Sequence, residues 1–144
     1  MAIDVGLSVF ERLIDEGFNR GNLDALDEFV AIDGIEHQVG ARSGRDGLKA
    51  LINGLRTAFP DLHLAILDTA TSGDLVWARI RSTGTNTGSF RGRPATGRAM
   101  EIDVIDIVRV ADGQITEHWG VADRLSMLDQ TGLPMEAMTG RVVG

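Results

Sequence analysis

Apolar and polar positions recur along this chain with two different periods, and the change falls near residue 60. Over residues 5–19, Val9, Phe10, Leu13, Ile14, Gly17 and Phe18 repeat at three- and four-residue spacing, which predicts an amphipathic helix. Arg20-Gly21-Asn22 ends it, and Asn22 is placed to cap a second helix carrying Leu23, Leu26, Phe29 and Val30. Residues 31–42, with Ile32, Ile35, His37 and Val39, read as a short strand or bend. Ser43-Gly44-Arg45-Asp46 opens the clearest helix, with Ser43 the expected cap and Leu48, Leu51, Ile52, Leu55 and Phe59 its stripe. Pro60 stops it.

Beyond Pro60 the period falls to two. Strands are predicted over 62–72 and 75–83, then a Gly/Thr-rich segment over 84–97. A hairpin follows, 99–110 and 114–122, turning at Asp112-Gly113. Arg124–Gln130 is expected to form a helical turn ahead of Gly132 and Pro134. Residues 1–134 thus make one domain, and 135–144 a loose tail or interface arm. Helices followed by four antiparallel strands predict an α+β fold: helices on one face of a strongly curved sheet, closing a cone around a pocket.

Composition narrows the function. Fourteen basic residues against 21 acidic ones give a net charge of −7, which argues against nucleic acid or an anionic membrane as partner. With no cysteine, disulfides, thiolate catalysis and Cys-based metal sites are excluded. With no tyrosine, a phenol cannot serve as proton donor. No apolar run approaches the roughly 20 residues of a membrane span, and no secretory signal is visible, so the cytoplasm is the expected location. His37, His63 and His118 show no metal-ligand spacing, and no metal is expected.

Strand alternation sorts the acids of the hairpin. On 99–110, Ile102, Val104, Val108 and Val110 share a face with Asp106, as in an apolar pocket wall holding one carboxylate; the alternative for Asp106 is a solvated or ion-paired residue. If Asp123 points inward and the second strand runs unbroken, Ile115, Glu117, Trp119 and Val121 join it, and His118, Gly120 and Ala122 face outward. Asp123 then reads either as a general base with a raised pKa or as the cap of the following helix. His37 is a polar group at the pocket mouth or a surface residue. Trp77, Trp119, Phe18 and Phe59 suit a flat apolar ligand or the core.

An ordered set of short segments carries a resemblance. Phe59-Pro60-Asp61-Leu62, Gly73-Asp74-Leu75-Val76, Gly84-Thr85-Asn86-Thr87-Gly88 with Phe90 and Gly92, and Thr96-Gly97-Arg98 come first. Asp112-Gly113-Gln114-Ile115 with Glu117 and Trp119, then Asp123, Gln130 and Gly132, complete it. Over roughly residues 8–134 the chain resembles the SnoaL-like polyketide cyclases of the nuclear-transport-factor-2-like superfamily. The resemblance implies a conical α+β barrel, a homodimer or homotetramer, and an intramolecular aldol condensation without cofactor or metal. It also implies that Asp123 matches the family's acid/base aspartate. Asn86 stands where many relatives carry histidine; it can hydrogen-bond but cannot carry a proton.

The expected function is therefore a cofactor-free cyclase or isomerase acting on a hydrophobic carbonyl compound. Its expected catalytic residues are Asp123, Asp106 and His37, with Trp119, Trp77, Phe18, Phe59, Asn86 and Val108 around the substrate. The alternative is a non-catalytic dimer whose pocket holds a small apolar ligand. Epoxide hydrolysis ranks third, because the strands contain no Arg-x-Asp for a water-positioning relay.

Overall fold

The computed structural model describes residues 4–139. Helix α1 (Val5–Arg12) is capped by Asp4, whose side chain accepts from the Leu7 N–H at 3.0 Å. It widens into a π-helical segment over Leu13–Asn19 and ends at Gly21, where φ is 67°. A 3₁₀ turn over Leu23–Ala25 leads into α2 (Leu26–Phe29) and directly into strand β1 (Val30–Glu36). Asn22 stands at the cap position but makes no side-chain cap bond.

Helix α3 (Arg45–Ala58) buries Leu48 and Ile52 from the predicted stripe. Its cap is Gly44 at φ 88°; the Ser43 hydroxyl instead accepts from the Glu36 N–H at 3.0 Å. Ser43 thus ties the loop to β1. After Pro60 come β2 (His63–Ser72), β3 (Leu75–Thr85), β4 (Ala99–Ala111) and β5 (Gln114–Ala122). These four pair antiparallel in sequence, and β1 adds to β5 in parallel, giving the order β1-β5-β4-β3-β2. The curved five-stranded sheet with helices packed against it is the predicted α+β architecture. Phe10, Phe29, Phe59, Leu26 and Ile52 are almost wholly buried between the layers. Each stabilises the fold by about 1.5–3 kcal/mol.

Register decides which residues face that interior. Val110 opposes Ile115, but the next pair is Arg109 with Glu117, so Thr116 has no opposite number. An extra residue on one strand is a β-bulge, and it reverses the alternation beyond it. Ile115 faces inward before the bulge, and His118, Gly120 and Ala122 face inward after it. The unbroken-strand expectation is therefore corrected: Glu117, Trp119 and Val121 point outward, and Val121 is 71% exposed.

Helix α4 (Arg124–Thr131) follows β5 and ends at Gly132 in the left-handed region, φ 75°. A short α5 (Glu136–Thr139) buries Ala137 completely. Of the expected tail, Ala137 and Met138 pack against the core while Met135 is exposed, and residues 140–144 lie outside the described residues. Among the described residues no helix is long and apolar enough to cross a membrane.

Candidate functional site

The concave face of the sheet, α3, α4 and the loop around 38–42 enclose a cavity of about 310 Å³. Leu51 and Leu55 of α3, Leu62, Leu64, Met100, Ile102, Val104, Met127 and Phe18 give it an apolar wall. Three polar side chains interrupt that wall: Ser82, Asp106 and His118. Gln38, Arg42, Arg91 and Arg124 line it nearer the solvent.

The two ionisable groups on the wall belong to a chain of three. Glu36 is the lateral neighbour of His118 across the parallel β1–β5 pair. His118 Nδ1 lies 2.8 Å from both Glu36 carboxylate oxygens, and its Nε2 lies 3.1 Å from Asp106 Oδ1. The side chains of His118, Glu36 and Asp106 are only 9%, 6% and 7% exposed. Burial alone would lower the histidine pKa, but hydrogen bonds to Asp106 and Glu36, and their charges, outweigh it and push His118 up to about 10. At neutral pH the ring is an imidazolium donating from both nitrogens. Glu36 is held in turn by the Gln38 N–H at 2.8 Å.

Asp106 lies opposite Gly120, so His118 reaches it diagonally across a position without a side chain. A Cβ at 120 would sit 3.0 Å from Asp106 Oδ1, 2.9 Å from His118 Cε1 and 2.3 Å from Gln38 Oε1. Glycine there is what allows the three side chains to converge. Among the described residues Asp106 Oδ2 has no protein hydrogen-bond partner, and no buried polar side-chain atom is left unpaired, so this oxygen opens into the cavity.

Of the residues expected at the site, Asp106 and Phe18 line the cavity. Asp123 does not. It caps α4 from an exposed position, accepting from the Ser126 hydroxyl at 2.7 Å and the Ser126 N–H at 3.1 Å, and those bonds lower its pKa. His37 lies on the outer face, 2.7 Å from Glu117 and stacked on Trp119 at 4.8 Å between ring centroids. Trp77 is also on that face and 45% exposed, because the bulge and strand parity turn both tryptophans away from the cavity. Phe59 and Val108 are fully buried core residues outside the cavity lining. Asn86 is structural: its amide donates to Ala58 O at 3.1 Å and Gly88 O at 3.0 Å, and its oxygen accepts from the Thr96 N–H at 2.8 Å. His118, expected outside, is the residue that alternation misplaced. Among the described residues no cluster of His, Asp or Glu is arranged to hold a metal ion.

A family profile described as SnoaL-like polyketide cyclase matches residues 8–131. Aklanonic acid methyl ester cyclase DnrD of Streptomyces peucetius is 30% identical over 135 residues, covering 90% of this chain and 92% of that one. Nogalonic acid methyl ester cyclase of Streptomyces nogalater is 28% identical, covering 81% and 90%. Among solved structures, IdmH of Streptomyces antibioticus superposes with a TM-score of 0.78 at 33% identity, covering 89% and 99%. TsrD of Streptomyces laurentii gives 0.81 at 26%, covering 92% and 98%. Sequence and fold agree over nearly the whole domain, and the chain belongs to the SnoaL-like polyketide cyclase family.

Proposed function

We propose that this protein is a cofactor-independent cyclase that closes a carbon ring by intramolecular aldol condensation, with Asp106 as its general base. The observation that carries the reading is the buried Asp106–His118 pair, one carboxylate oxygen fixed by the imidazolium and the other open to an apolar cavity. Asp106 Oδ2 takes a proton from a carbon activated by flanking carbonyls. The resulting enolate carbon adds to a second carbonyl of the same molecule, forming the C–C bond, and the alkoxide recovers the proton from Asp106. The addition is redox-neutral and the proton is returned, so neither a redox partner nor a stoichiometric base is consumed. The Gln38 amide and the Ser82 hydroxyl are the uncharged polar groups on the cavity that can donate to the enolate oxygen.

A ligand-binding module would have little use for this pair. Burying charges costs several kcal/mol per ion, and an apolar ligand gains nothing from them. Asp106→Asn should keep the fold and reduce ring closure by about 10²–10⁴-fold, with aklanonic acid methyl ester and the corresponding free acid as the first substrates to try. Asp123→Ala should lose about 1 kcal/mol of stability with its cap and retain turnover. Undiminished turnover in Asp106→Asn would sink the assignment.

The same reading includes a homodimer formed through the outer sheet face. Trp77, Ile105 and Val121 are 45%, 42% and 71% exposed there, beside the His37–Trp119 stack. Sedimentation equilibrium should give twice the chain mass, and a monomer at all concentrations would remove this part.

A further inference from the structure

The mouth of the cavity carries charge that the ring closure does not use. Arg91 and Arg124 converge on one turn: Arg124 donates to the Val39 carbonyl, and Arg91 Nη2 comes within 3.0 Å of where a Cβ on Gly40 would lie. Arg42, three residues after Val39, lines the same opening. Among the described residues none of the three has a carboxylate within ion-pair distance, whereas Arg12, Arg79, Arg81 and Arg109 all do. Arg124 is half-buried, and its pKa is lowered by desolvation and then by the like charge of Arg91.

Two guanidinium groups held close without a counter-ion, on a molecule of net charge −7, form a local inversion of the field. The buried end has the opposite sign, since one imidazolium lies between the two carboxylates of Glu36 and Asp106. A ligand with an apolar body and one anionic end can satisfy both ends in only one orientation. Guanidinium groups pair with carboxylates through paired N–H donors, a geometry that a methyl ester cannot accept with comparable strength.

Resting on the assignment of this cavity as the substrate site, we propose that its rim selects a substrate bearing a free carboxylate. Arg91 and Arg124 are the specificity-determining residues, and Arg42 is an auxiliary cation. The carboxylate stays at the mouth and the carbon acid is directed inward to Asp106.

Calorimetric titration of the purified protein with 2-naphthoate and with the neutral isostere 2-naphthamide tests this. The acid should bind about tenfold tighter, and the gap should shrink as salt rises from about 0.02 to about 0.5 M. Arg91→Gln/Arg124→Gln should abolish the preference, and Arg124→Lys, which keeps the charge but loses the paired donors, should retain part of it. Arg91→Gln alone, which leaves the Arg124–Val39 bond intact, should already narrow the gap. Equal affinity for acid and amide in the wild type overturns the proposal, as does a preference that survives the double variant. Binding of neither probe overturns it together with the cavity assignment. Acid preference in a chain whose Asp106→Asn variant still turns over substrate upholds the rim and rejects the base.

Discussion

A carboxylate held by its own following turn is a weak proton acceptor, and Asp123 is such a group, lowered in pKa by the hydroxyl and then the N–H of Ser126. Asp106 sits on an apolar wall with one oxygen committed to His118 and one open. Between them the difference is environment, not residue type. Gly120 makes that environment possible, and the atoms a Cβ there would strike are all side-chain atoms of Gln38, His118 and Asp106. Gly120→Ala should therefore leave the backbone in place and displace the site. Turnover is expected to fall about tenfold or more while the melting temperature moves by only a few degrees, a split that steady-state kinetics and calorimetry read together. Asp106 could be read from the sequence as a pocket acid because four apolar residues share its parity. The partner it needs could have been sought too. A buried carboxylate requires a cation or donors on its own face, and on the adjacent strand only His118 supplies a cation near it.

At the scale of elements, period was the reliable signal, and it failed where pairing overrides it. Helix α3 and strands β2–β5 follow from spacing alone. Strand β1 is left open by spacing, since residues 31–42 read as a short strand or bend, and parallel pairing with β5 decides for the strand. The bulge at Thr116 was invisible because threonine suits a regular strand as well as an interrupted one. One displaced residue then moved His118, Trp119 and the inferred role of Asp123 together. Joints between elements are tight where backbone meets backbone. A Cβ on Gly88 would lie 1.8 Å from the Thr57 carbonyl oxygen at the end of α3, an overlap that no side-chain rotation relieves. Gly88→Ala should cost about 3 kcal/mol, seen as a lower urea midpoint, because the last turn of α3 must shift.

For the molecule as a whole, the buried chain Glu36–His118–Asp106 makes stability depend on pH in the alkaline direction. The folded pKa of His118, about 10, lies above its unfolded value of about 6.5. Its contribution is therefore complete below about pH 6.5 and is lost as pH rises toward 10. The melting temperature should decline by several degrees across that window. A flat profile would mean that the imidazolium is not formed. The outward turn imposed by the bulge also has a spectroscopic consequence. The chain has two tryptophans and no tyrosine, and neither Trp77 nor Trp119 borders the cavity. A ligand entering the cavity will leave the intrinsic emission nearly unchanged. If the proposed dimer forms through the outer sheet face, dilution that separates two copies will wet both indoles at once and shift the emission to the red. The protein's natural fluorescence would then gauge association while staying blind to occupancy.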